Sequence, residues 1–286
     1  LYMKLGIDQI PEIILDNTDR NRTSPFAFTG NKFEFRAVGS DANVADPMMV
    51  LNLIVADQLT DFYKQVTKLM DKGEDRRLAV IQVLRKYIKE SKAIRFEGDG
   101  YSEEWVKEAK KRGLSNVKST PRALDFTTDD KAVKLFGRHK VLSHTEIEAR
   151  HEIQLENYIK KVQIESRVMG DLALNHIIPT AINYQNKLIQ NAMGLETLGI
   201  DSKEIKGTIK EVSGHISKAR KLVDDMTEER KRINKIADVR ERAIEYCDNV
   251  KEKYFDDLRY AVDKLELLVD DEDWPLVKYR ELLFLR

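Results

Sequence analysis

The chain has 286 residues, enough for one large or two ordinary domains with a sizeable core. Its 49 basic and 49 acidic residues cancel to a formal net charge of zero, so no bulk charge draws it toward nucleic acid or an anionic membrane. The single cysteine, Cys247, excludes an internal disulfide and fits a reducing, cytoplasmic compartment; no apolar run approaches the roughly 18 residues of a membrane span, and no signal peptide is visible. With only six prolines and thirteen glycines among many charged, alanine and leucine residues, the composition favours helix. The first residue is Leu1, which points to a processed form or a piece of something longer.

Residues 1–45 are the only part with strand character. Ile10 to Leu15 is a short apolar run, and Lys32 to Val38 alternates: Lys32, Glu34 and Arg36 share one face, while Phe33, Phe35 and Ala37 take the other. Between them Asp19 to Asn31 is rich in turn formers. Two strands do not make a stable sheet by themselves, so the segment reads as the remnant of a larger one. Three charges in a row on one strand face need charged partners opposite them. A carboxylate between two cations suits a site that holds both a metal ion and anions.

From Asp46 onward the pattern is helical. Asp46-Pro47 reads as an N-cap and first-turn proline, opening a helix to about Met70. A second helix covers roughly Arg77 to Glu90, with Leu78, Val80, Ile81, Leu84, Tyr87 and Ile88 as its expected buried stripe. The segment Phe96 to Tyr101 is a loop, Ser102 caps a short helix ended by Gly113, and Thr120-Pro121 opens another. Ser143-His-Thr-Glu146 matches a capping box at the start of a long helix, which Pro179 is expected to end or kink. The pattern resumes to Gly194–Gly199, restarts after Asp201, and gives two more long amphipathic helices with a break near Asp248 to Lys253. A heptad-like series from Ile205 to Met226 asks for an antiparallel partner helix. Trp274-Pro275-Leu276 is irregular. The expected fold is mainly α: a two-strand N-terminal remnant followed by a helical array with long antiparallel helices. The expected division is 1–142, with the strands in 1–45, and 143–286.

At Asn21-Arg-Thr-Ser24 and Lys32-Phe-Glu-Phe-Arg36, followed by Asp46-Pro47-Met-Met-Val-Leu-Asn-Leu53, the sequence resembles the glutamine synthetases. The wording from Asp19 to Ser40 is similar to the type III branch. So are Arg95-Phe-Glu-Gly-Asp-Gly-Tyr-Ser102, Asn175-His-Ile-Ile-Pro-Thr180 and Leu265-Glu-Leu-Leu-Val-Asp-Asp-Glu272. The resemblance covers essentially the whole chain. It implies ATP-dependent amidation of glutamate by ammonia through an acyl phosphate, with Mg2+ or Mn2+ bridging the phosphates. It further implies that Glu34 is a metal ligand and that Arg36 grips the glutamate substrate. Arg22 would face the transferring phosphate, with Arg20 assisting at the nucleotide. The family works as ring-shaped homo-oligomers, without nucleic acid or membrane partners.

Two departures matter. The better-known branches carry a further arginine where this chain has Ala27. The family's other metal-binding glutamates and histidine, its ammonia-site aspartate and its flap glutamate all lie upstream of Leu1. The resemblance therefore implies the C-terminal part of a type III enzyme, inactive alone.

Bland readings stand beside these. Arg22, Glu34 and Arg36 on a solvated strand would form ordinary ion pairs of little energy. Lys32 reads as a partly exposed lysine. Glu148-Ala-Arg-His151 is the Glu-x-x-His of di-metal bundles, with His144 on the same face, yet no second copy follows. Phe96 to Tyr101 lacks the ending of a phosphate loop and the ligand series of a calcium loop. Cys247 reads as half-buried, with no cue to a reactive thiolate. The competing functions are an amide ligase fragment, a non-catalytic helical assembly module and a di-metal carboxylate bundle.

Overall fold

In the computed structural model, residues 2–3, 13–14, 26–28, 32–35, 43–94, 100 and 102–283 are described. The architecture is mainly α, as the composition indicates. Among the described residues, four short strands precede the helices and pair two by two: β1 (Tyr2–Met3) with β2 (Ile13–Ile14), and β3 (Phe26–Phe28) with β4 (Phe33–Phe35), both antiparallel. The sequence reading placed Phe26 to Phe28 inside a turn-rich stretch. Here Phe-Ala-Phe instead forms a strand: its backbone pairs antiparallel with Phe33–Phe35, and aromatic residues favour strands.

The helices form two compact units, Leu1–Asn116 with Lys134–Val141, and Val117–Val133 with Leu142–Arg286. In the first unit α1 (Ala45–Met70) and α2 (Arg76–Ser91) make a hairpin. Its turn is closed by Gly73 at φ +93, which glycine adopts without strain. Helix α1 starts one residue before the expected Asp46 cap. Val44 is its N-cap, and the Asn43 side chain accepts from the Ala45 N–H at 2.8 Å. Asp75 caps α2 by accepting from Arg77 and Leu78. The hairpin core is Val66, Ala79 and Val83, flanked by Phe62, Leu69, Val80 and Tyr87. Leu78, Leu84 and Ile88, expected inside, are exposed. The two helices approach along small residues, and Ala79 and Val83 fit that seam where leucine would hold the backbones apart. Asp57 on α1 accepts from Arg138 at 2.7 Å and pairs with His139 at 2.8 Å. The His139 contact, more than any other, holds the Asp57 carboxyl below its usual range. Helix α3 (Glu103–Lys111) is capped by Ser102 and ends through Gly113 at φ +76, both as the sequence indicates.

In the second unit α4 (Thr120–Leu124) opens on Pro121, and α5 (Asp130–Arg138) carries the chain across the unit boundary. Helix α6 (His144–Asp171) begins with the complete Ser143–Glu146 capping box. It does not stop before Pro179. A π-helical segment, Leu172–Ile177, leads straight into α7 (Ile178–Thr197). The Ile178 N–H donates to the Ala173 carbonyl, five residues back. Slipping one residue in hydrogen-bond register upstream of a residue with no N–H lets the helix continue where the sequence suggested an end or a kink. Helix α8 (Lys203–Ile233) follows a short connection closed by Gly199 at φ +70 and packs against α7. The expected break near Asp248 is also a continuous helix. Here α9 (Val239–Tyr246), a second π segment (Cys247–Phe255) and α10 (Asp256–Leu268) form one rod against α8. Only α11 (Tyr279–Leu282) follows.

The core joins α6, α8 and this rod through Leu155, Ile159, Val223, Met226, Tyr246 and Leu258. Tyr246 is fully buried and its hydroxyl is satisfied. It donates to Asn234 Oδ1 at 2.6 Å and accepts from Gln163 Nε2 at 3.0 Å. Cys247 is fully buried rather than half-buried, since it opens the π segment on the core side. Two bidentate forks fix α4 and the turn after it: Arg122 on Asp248 at 2.8 and 2.6 Å, and Arg240 on Asp125 at 2.7 Å twice. Among the described residues no helix is long and apolar enough to cross a membrane.

Two outcomes test this packing. Gly170 is buried, and a Cβ there would meet Val223 Cγ1 at 3.2 Å. Replacing a helix-interior glycine by alanine ordinarily gains about 1 kcal/mol. Gly170→Ala is expected to show that gain in a Val223→Ala background and to lose most of it in the native one. Chemical denaturation of the four proteins measures it, and equal effects in both backgrounds would refute the contact. The second concerns acid. The guanidinium of Arg122 holds Asp248 below the ordinary 3.8, so that pair stabilises the fold above 3.8 and the contribution is lost as pH falls through the lowered value. The partners are over 40% exposed, which limits Arg122→Gln to a cost of about 1 kcal/mol or less at neutral pH. Unfolding curves taken from pH 7 downward should converge for variant and parent; a constant gap would contradict the assignment.

Candidate functional site

Of the residues singled out by the sequence, Glu34 lies on the β3–β4 hairpin, with Lys32 just before β4. Its register pairs Phe26 with Phe35, Ala27 with Glu34 and Phe28 with Phe33. Directly opposed residues project to the same face of an antiparallel pair, so Glu34 and Ala27 share one face. Phe26, Phe28, Phe33 and Phe35 occupy the positions of the other face, and a one-residue slip of register would exchange the two sets.

Glu34 is about one-third exposed. Its Oε1 lies 3.0 Å from Lys32 Nζ, with Lys32 itself mostly in solvent. The structure thus brings Lys32 and Glu34 together, while Arg20, Arg22 and Arg36 lie outside the described residues. Partner and position of Lys32 were not legible in the sequence beyond the shared strand face. An ammonium against a carboxylate that is about one-third exposed is weakly stabilising.

A divalent ion needs more than this. Mg2+ takes six oxygen donors in near-octahedral geometry. Among the described residues no three His, Cys, Asp or Glu side chains gather closely enough to hold a metal ion. A carboxylate such as that of Glu34 is one donor of the type such an ion takes. The Glu-x-x-His motif on α6 does not assemble a metal site. His144 pairs with Glu148 at 3.5 Å in solvent, whereas His151 turns toward Asp125 at 3.7 Å, beyond hydrogen-bond reach. The loop reading of Phe96 to Tyr101 falls almost wholly outside the described residues.

Comparison with known proteins supplies a frame. Residues 79–196 match the glutamine synthetase C-terminal domain. The chain is 48% identical over 291 residues to a glutamine synthetase of Bacteroides fragilis (strain YCH46), covering 99% of this chain and 39% of the relative. It is 35% identical over 290 residues to the type-3 glutamine synthetase of Dictyostelium discoideum, again 99% of this chain and 39% of that protein. With a glutamine synthetase of Butyrivibrio fibrisolvens the identity is 33% over 276 residues, 94% of this chain and 38% of the relative. The chain thus spans about two-fifths of the length of the curated relatives it matches. The matched domain begins after the β3–β4 hairpin, but the pairwise similarities extend over nearly the whole chain, hairpin included. The chain therefore carries a stretch that matches the glutamine synthetase C-terminal domain and is similar, over nearly its whole length, to part of longer glutamine synthetases, a type-3 glutamine synthetase among them.

Proposed function

We propose that this chain is the C-terminal portion of an ATP-dependent glutamate–ammonia ligase, acting in the cytoplasm as part of a ring-shaped homo-oligomer. The observation that carries the reading is Glu34, a reachable carboxylate on a two-sided hairpin inside a chain similar to glutamine synthetases over 99% of its length. In the reaction the side-chain carboxylate of glutamate attacks the γ-phosphorus of ATP, releasing ADP and giving the γ-glutamyl phosphate. Ammonia then attacks the acyl carbon, phosphate leaves with the bonding pair, and the nitrogen loses a proton to give glutamine.

Mg2+ or Mn2+, held in part by Glu34, would neutralise phosphate charge that otherwise repels the attacking carboxylate. Arg36, a planar fork, would clamp the glutamate substrate. Arg22, with Arg20 beside it at the nucleotide, would stabilise charge growing on the transferred phosphoryl group. Lys32 holds Glu34 until a divalent ion competes for it. The remaining ligands and the ammonia-side groups come from sequence beyond these 286 residues, so the chain by itself does not complete the reaction.

A second reading, the helices as an assembly module, is favoured by one observation. Ile153, Ile164 and Val168 on α6, with Ile182, Ile189 and Met193 on α7, are large, apolar and exposed. It is compatible with the first, because a ring needs such surfaces.

Two measurements test the ligase reading. Glu34→Ala in the complete enzyme should lower glutamine formation by on the order of 100-fold or more, the scale of removing one group that stabilises transition-state charge; unchanged turnover would sink the ligand assignment. Lys32→Met should tighten Mn2+ binding by up to about fivefold, because the competing surface pair is worth at most about 1 kcal/mol. Weaker Mn2+ binding would mean that Lys32 positions the carboxylate rather than competing for it.

A further inference from the structure

Two contacts fix the register of α6 against α8. The Gln163 side-chain amide donates to Asn234 Oδ1 at 2.9 Å, and a Cβ at Gly170 would meet Val223. As residue numbers rise along α6 they therefore fall along α8, and Arg167 comes opposite the turn that carries Arg230. Arg167 stands one helical turn after Gln163. Arg230 stands one turn before Asn234, whose N–H donates to the Arg230 carbonyl at 3.0 Å. The four side chains make two rungs across the helix pair. The amide rung closes on itself, while the guanidinium rung sets two like charges against each other.

Nothing among the described residues neutralises that second rung. Glu229 is held by Arg232 at 2.8 Å and Glu228 by Lys231 at 2.7 Å. Glu165, two residues from Arg167, lies on another side of α6. By contrast Arg122, Arg232 and Arg240 in the same unit each hold a carboxylate. Arg230 is partly buried, and its Nε is enclosed without a hydrogen-bond partner. Burial, and after it the Arg167 guanidinium, hold the Arg230 ionisation below its ordinary value. The helix pair thus pins a guanidinium beside a second cation and gives it no acceptor, an arrangement that a bound anion completes. Arg167 is exposed, so the rung is open to solvent.

We propose that Arg167 and Arg230 form a two-guanidinium clamp for a dianionic phosphate group, carried by inorganic phosphate or by a phosphate monoester. Planar guanidiniums donate in pairs to such an oxyanion, and its two charges cancel those of the rung. A single carboxylate would leave one of them uncancelled. The clamp lies wholly within the second unit and uses none of the residues of the ligase reading.

Calorimetric titration of the protein with inorganic phosphate, and in parallel with methyl phosphate, tests it in chloride buffer above the second ionisation of phosphate. Saturable one-to-one binding is expected. Arg167→Gln and Arg230→Gln should each weaken it about tenfold or more, the scale of losing a charge-assisted contact. Arg220→Gln removes the same charge from an exposed position about three turns earlier on α8 and should leave binding unchanged. Without phosphate, Arg167→Gln should melt no lower than the parent, because it relieves like-charge repulsion; added phosphate should raise the Tm of the parent and not of the variant. Tighter binding of the ester would assign the clamp to a phosphorylated small molecule, and equal or weaker binding of it to free phosphate. No saturable binding of either, or as large a loss in Arg220→Gln as in Arg167→Gln, would overturn the proposal.

Discussion

Proline cannot donate a backbone hydrogen bond, and in a helix its ring crowds the carbonyl four residues earlier. At Pro179 this chain meets that constraint inside its longest helix and resolves it by slipping register one turn upstream, through Leu172–Ile177. The rest of the second unit follows from that choice. A helix that ended there would leave α6 and α7 as separate pieces with four unsatisfied groups at each new end. Kept whole, it presents one long surface against which α8 lies, and α8 in turn receives the α9–α10 rod. That rod contains a π segment of its own. Tyr246, one residue before it, ties α6 to the end of α8 through Gln163 and Asn234. Residues from all of these elements meet in one buried cluster.

The β3–β4 hairpin places Glu34 opposite Ala27 on one face and the phenylalanine positions on the other. One carboxylate does not make a metal site, and nothing among the described residues adds the further ligands. On the reading proposed above, this chain would contribute one wall of a catalytic centre beside a large helical body.

How much of this was legible depends on what kind of signal each feature leaves. Caps are local chemistry, and Ser143 with Glu146 and Ser102 before Glu103 announced their helices correctly. Periodicity located the helices but not always the buried face. On α2 it favoured Leu78, Leu84 and Ile88, whereas close helix approach selected Ala79 and Val83. Hydropathy measures transfer from water, and a tight seam is decided by size. The π segments left no readable mark, since a register slip changes hydrogen bonding without changing composition; Pro179 and Asp248 to Lys253 therefore looked like interruptions. Of the site, the alternation from Lys32 to Arg36 showed a charged face in need of partners. Its meaning as metal, glutamate and phosphate contacts came only from resemblance, because three charges on a strand look the same whether they meet a ligand or water.

The central claim is that Glu34 holds a catalytic divalent ion within a glutamine synthetase. Manganese scatters anomalously, so crystals of the complete enzyme grown with Mn2+ report its position directly. The account predicts a manganese peak about 2.1 Å from a Glu34 carboxylate oxygen, the distance of a hard-cation bond. Manganese bound elsewhere, with Lys32 still paired to Glu34, would contradict it.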